Sequence, residues 1–182
     1  MKTAILAGAV LLSLIAGWTD FRKRRIPNWL TVPALAAGVA LNTLATGWIG
    51  LKFSLLGAGL GLLLLLPFVA LRSLGAGDWK LAGALGAFVG VRVLADLLMG
   101  SVFVAGVMAF VLVIYKGRLR ETFHNITRML AALLSFHMPG PEVSIDNPQS
   151  LKVPYGVALA STVVIYYVLD GISRTHHLGW TA

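Results

Sequence analysis

Long apolar runs separated by short clusters of charge dominate the chain. Positions 3–19, 26–51, 53–71, 81–91, 97–115 and 153–169 contain no Asp, Glu, Lys or Arg. About 20 apolar residues cross the hydrocarbon core of a bilayer, so the pattern predicts an all-α polytopic membrane protein, a bundle of six transmembrane helices. The fourth run is the shortest, and it spans only if Arg92 lies near an end and snorkels to the headgroups.

Composition agrees with the pattern. Of 182 residues, 58% are hydrophobic and 12% charged, and the mean hydropathy is +0.84. That length predicts one integral membrane domain over 1–182 with no separate soluble part. The net charge of +8 suggests nucleic acid only until the basic residues are placed. Arg22 to Arg25 follow the first run, Arg72 and Lys80 lie between the third and fourth, and Lys116, Arg118, Arg120, Arg128 and Lys152 lie between the fifth and sixth. Lys2, Lys52, Arg92 and Arg174 are spread singly over the other side. Positive-inside bias therefore predicts both termini outside and all three basic linkers in the cytoplasm, with no nucleic-acid partner. One basic residue before the first run and four after it argue against a cleaved signal peptide.

Gly57 and Gly61, and Gly83, Gly86 and Gly90, form small-residue faces that predict close helix packing. Between the fifth and sixth runs an amphipathic segment over 118–136 is expected to lie on the inner membrane surface, followed by an irregular Pro-rich loop. There is no cysteine, and His124, His137, His176 and His177 lack ligand spacing, so neither a metal nor a cofactor is expected.

The seven acids are more informative. Asp96 and Asp170 fall at predicted outer ends, and Glu121, Glu142 and Asp146 belong to the long inner linker. Only Asp20 and Asp78 share one membrane depth at helix ends. A carboxylate just before the fourth helix, at Asp78, also suits a cap for orphan backbone N–H groups. Asp20 ends the first helix, where the helix dipole disfavours an anion and capping fails, leaving the neighbouring Arg22 to Arg25 as its bland partners. Two carboxylates held together cannot both ionise easily, so one keeps a proton while the other takes one from a water. That is the chemistry of an aspartyl protease, which needs neither a metal nor a nucleophilic side chain.

The residues around both acids resemble a known family. "DFRKRRIPNWLT", Asp20 to Thr31, is similar to the first motif of the prepilin peptidases, with Arg25, Ile26, Pro27, Asn28, Leu30 and Thr31 matching. "GAGDWKL" resembles their second motif, G-x-G-D-x-K-L, at Gly75, Gly77, Asp78, Lys80 and Leu81, and "VPYGVAL" resembles a late P-Y-G-x-A element at Pro154, Tyr155 and Gly156. The resemblance implies a GxGD aspartyl endopeptidase of the bacterial inner membrane that removes the basic leader of type IV prepilin or pseudopilin precursors at the cytoplasmic face. Asp20 and Asp78 take the place of its catalytic pair. Many members carry an amino-terminal cysteine zinc cluster linked to N-methylation. This cysteine-free chain, starting at its first helix, looks like the short branch associated with Flp or tight-adherence pili, of which methyl transfer is not expected.

Supporting roles follow from the same motifs. Pro27 and Asn28 are expected to shape the entry to the second helix, and Arg22 to Arg25 to anchor topology on anionic lipid. Lys80 either orients Asp78 or snorkels to phosphate. Two other classes remain: a small proton-coupled transporter, which would place acids at several depths, and a non-catalytic scaffold for a pilus or secretion machine. Oligomeric state and precursor identity are not encoded in these patterns.

Overall fold

The computed structural model describes residues 2–70, 74–117, 120–122, 127 and 153–178. Its main elements are α1 (Lys2–Lys23), α2 (Asn28–Thr46), α3 (Trp48–Ala70), α4 (Ala76–Tyr115) and α5 (Tyr155–Leu178), with no strand among the described residues. Helices α1 to α4 are long and apolar enough to cross a membrane, and the chain is a multi-pass membrane protein. The sixth apolar run falls in α5, whose apolar part Tyr155–Asp170 is shorter. The amphipathic segment expected over 118–136 and the loop after it lie almost wholly outside the described residues. So do Arg72, Arg118, His124, Arg128, His137, Glu142, Asp146 and Lys152.

Two of the predicted helices, over 81–91 and 97–115, are joined in α4. Drawn straight, its 40 residues would measure roughly 60 Å, twice the hydrocarbon thickness. The element is instead broken at Gly90, where φ is 74° and ψ −177°. Glycine adopts that φ without steric cost, so one helix ends at residue 89 and another starts in a new direction at 91. The break strips carbonyls at the end of the first helix of their helical donors. Asn42 of α2 supplies replacements, its Nδ2 donating to the Ala87 carbonyl at 2.9 Å and the Phe88 carbonyl at 3.2 Å. Ser54 of α3 donates to Ala87 at 2.7 Å. Inside a bilayer no water is present to do this, so buried side chains must.

Every residue from Leu81 to Gly90 is buried. Helix 76–89 is thus the centre of the bundle, with α1, α2, α3 and α5 all packed against α4. The central position explains why this run is short and rich in Ala and Gly. A helix surrounded by protein needs no bulky lipid-facing side chains, and at roughly 21 Å it need not reach both headgroup layers alone. The predicted glycine faces do the packing: Gly57 abuts the backbone of Gly86, and Gly61 abuts Ala82 and Gly83. On the other side Gly17 of α1 meets Ala160 and Gly156 of α5. Trp18 carries the Arg22 guanidinium over its ring at 4.8 Å, and Trp48, the first residue of α3, carries the Lys52 ammonium at 5.7 Å. Such aromatic and basic pairs suit the two headgroup levels.

Candidate active site

Asp20 occupies the last full turn of α1. Its carbonyl accepts the Arg24 amide at 2.8 Å, and Arg24 takes φ 52°, which ends the helix and turns the chain toward Ile26. The carboxylate is buried, and its Oδ2 accepts the Gly156 amide at 2.9 Å. The Val157 amide is also directed at it, and the Arg24 charge lies nearby. Both amides belong to the first turn of α5, where the Gly156 N–H has no intrahelical acceptor. Pro154, just before that helix, has no side-chain acceptor to offer. Asp20 fills the role and meets the positive end of the helix dipole. The expectation that Asp20 cannot cap the helix it ends agrees with this geometry, and the cap it provides is elsewhere. It does not cap its own helix; it caps one whose bonded amide, that of Gly156, lies 136 residues further along the chain.

Asp78 lies inside the first turn of α4, not ahead of it. The N-cap is Gly75, at φ −68° and ψ 140°, with no side-chain cap of its own. Asp78, three residues on, reaches back to the Gly75 backbone, the return half of a capping box. A Cβ on Gly75 would come within 2.9 Å of Asp78 Oδ2, so the glycine leaves room for the acid to fold back. The two carboxylates are close enough for the charge of Asp20 to act on Asp78. Among the described residues two buried side-chain oxygens have no hydrogen-bond partner, Asp78 Oδ1 and Thr31 Oγ1. Both belong to the motifs recognised in the sequence.

The three motifs meet around Ile26. A Cβ on Gly77 would stand 3.0 Å from Ile26 Cβ, and one on Gly156 would stand 3.0 Å from both Ile26 Cδ1 and Asp20 Cβ. Small residues at 77 and 156 thus let α4 and α5 close on the chain that leaves α1. A second tie is polar, Lys80 Nζ donating to Asn28 Oδ1 at 2.9 Å. Lys80 therefore binds the first motif and joins the start of α4 to the start of α2. Pro27 is the N-cap of α2, at φ −77° and ψ 146°, and its carbonyl accepts the Leu30 and Thr31 amides. Asn28 makes no cap; its side chain is committed to Lys80. Arg25 is exposed on the connection before Pro27. The Pro154 carbonyl accepts the Val157 and Ala158 amides, and Tyr155 places its hydroxyl 2.7 Å from Ser101 Oγ.

The site offers a carboxylate held by backbone donors, near a second carboxyl group with one unpartnered buried oxygen. Such a pair can share a proton and move it to and from a water. No group of three or more acidic or His side chains among the described residues is placed to hold a metal ion. Sequence reading assigned Ser101 no role and Ile26 none beyond its motif match. A lone serine in the apolar run 97–115 was a usable signal, since a polar side chain there must find a partner. Nothing local marked Ile26 as the meeting point.

Comparison with known proteins matches the type IV leader peptidase family to residues 7–114. The chain is 30% identical over 140 residues to a prepilin leader peptidase/N-methyltransferase of Aeromonas hydrophila, covering 64% of this chain and 48% of that protein. It is 32% identical over 122 residues to one of Neisseria gonorrhoeae, covering 62% of this chain and 42% of that protein. The chain spans about half the length of the curated relatives it matches. No solved structure matches.

Proposed function

Because the chain belongs to the type IV leader peptidase family, we propose that it is a membrane-embedded aspartyl endopeptidase that cuts the basic leader from type IV prepilin or pseudopilin precursors. The observation that carries this reading is that Asp20 and Asp78, from motifs far apart in sequence, lie near enough for the charge of one to act on the other, with complementary hydrogen-bond states. Asp20 already accepts the Gly156 amide and takes the ionised role. Asp78 takes the protonated role, because a buried carboxyl oxygen with no donor beside it is costly to ionise.

In the proposed reaction Asp20 removes a proton from a water whose oxygen adds to the scissile carbonyl carbon. Asp78 gives its proton to the carbonyl oxygen. The resulting gem-diol collapses as Asp78 regains that proton and Asp20 passes its own to the leaving nitrogen, and the C–N bond breaks. The pair returns to its starting state without a covalent intermediate. Lys80 and Asn28 hold α4 against α2 and so keep Asp78 at its depth.

A precursor with a basic leader ahead of an apolar helix presents its cut at the inner headgroup level. We place the acids there, in the bacterial inner membrane and facing the cytoplasm, with Arg22 to Arg25 on anionic lipid. The methyl-transfer half of the relatives' names is not part of the proposal.

The test is leader removal from a co-expressed precursor. Asp20→Asn and Asp78→Asn are expected to insert and fold, yet to lose about 100- to 10,000-fold in rate, the contribution of a proton-transfer group. Asp96→Asn keeps its activity. Substantial cleavage by either purified Asn variant refutes the pair, and indifference to both substitutions is what a scaffold predicts.

A further inference from the structure

We infer that Ser101 is a positioning residue of this site, acting through Tyr155 on the backbone amide that holds Asp20. The inference rests on the peptidase reading above and names a residue outside all three motifs. Ser101 lies in the second helix of α4, residues 91–115, and is fully buried. Its Oγ donates to the Leu98 carbonyl at 2.8 Å and lies 2.7 Å from the Tyr155 hydroxyl. A serine hydroxyl has a single proton. With that proton on Leu98, the Tyr155 O–H donates to Ser101.

The bond has a definite address. Tyr155 is the first residue of α5, and the next amide, that of Gly156, is the one on Asp20 Oδ2 at 2.9 Å. The Tyr155 phenol also lies near Asp78. Further along α5, Leu159 and Val163 are fully buried in the core and hold the helix in place without help. Its first turn is held by smaller contacts, Ala158 being its one fully buried apolar side chain and Tyr155 packing against the core only in part, and helix ends are where local opening is easiest. Ser101 supplies a polar anchor from α4, the helix that also carries Asp78. The hydroxyl pair therefore ties the donor for one acid to the element that carries the other.

The experiment uses the full-length chain in detergent micelles with a prepilin substrate and compares Ser101→Ala, Tyr155→Phe and the double variant. Each single change is expected to lower kcat about 10-fold with KM unchanged, the effect of about 1.4 kcal/mol. The double variant is expected to fall by the same factor, because both changes delete one bond. In the same samples amide hydrogen exchange at Gly156 is expected to accelerate in all three variants, while that of Leu159 and Val163 stays slow. A double variant about 100-fold down, or Gly156 exchange that matches the wild type, overturns the inference. If the wild-type chain cleaves no precursor, the peptidase reading falls by itself, and the Gly156 exchange still decides whether Ser101 positions that amide.

Discussion

Replacing Gly156 by alanine separates the stability of the bundle from the chemistry of its site. The added Cβ would stand 3.0 Å from Asp20 Cβ, 3.0 Å from Asp20 Oδ2 and 3.0 Å from Ile26 Cδ1. Carbon atoms settle at about 3.5–4.0 Å, so α5 and α1 must part by roughly 0.5 Å. The Gly156 amide then retreats from Asp20 and its 2.9 Å bond lengthens to roughly 3.4 Å, past the usual hydrogen-bond range. A hydrogen bond to a charged group contributes about 1.5–3 kcal/mol, so cleavage should slow by roughly 10- to 150-fold. Stability moves less, because alanine in a helix recovers about 0.5–1 kcal/mol of the overpacking cost. The assay is kcat for leader cleavage by purified enzyme beside thermal unfolding in the same detergent. Gly59→Ala is the control, since a Cβ there meets nothing within 4 Å. Cleavage by Gly156→Ala within about twofold of the wild type would refute the placement of this amide on the working carboxylate.

Asn42→Leu removes donors from the Ala87 and Phe88 carbonyls, and Ser54 still serves Ala87. The orphaned Phe88 carbonyl should cost about 1–3 kcal/mol of stability, read as a lower unfolding temperature; an unchanged one would mean that Gly90 needs no cap. With one proton shared between Asp20 and Asp78, the cleavage rate should be bell-shaped in pH, because the doubly protonated pair lacks a base and the doubly ionised pair lacks an acid. A rate still climbing through about pH 10 is incompatible with that sharing. In this cysteine-free chain, Ser73→Cys should be shielded from an impermeant thiol reagent in intact cells and Thr46→Cys should react; the reverse pattern would put Asp78 on the wrong side of the membrane.

The amino-acid sequence by itself determined the membrane class, the approximate extent of the helices and the two acids. These properties are local: partition into lipid depends on the residues of each run, and a motif is read over a few adjacent positions. Packing by glycine was visible for the same reason, since small residues at helical spacing mark a face whatever lies opposite. Tertiary structure decided what lies opposite. The run at 81–91 looked the weakest and proved central, because its residues from Leu81 to Gly90 are all buried against protein. Asp20 looked misplaced at the end of its own helix, because the dipole that welcomes it belongs to another. Lys80 had two equal readings until Asn28 came within 2.9 Å, and Ser101 had none until Tyr155 came within 2.7 Å. A hydrogen bond has a range of about 3 Å, and only the folded chain brings groups so distant in sequence within it.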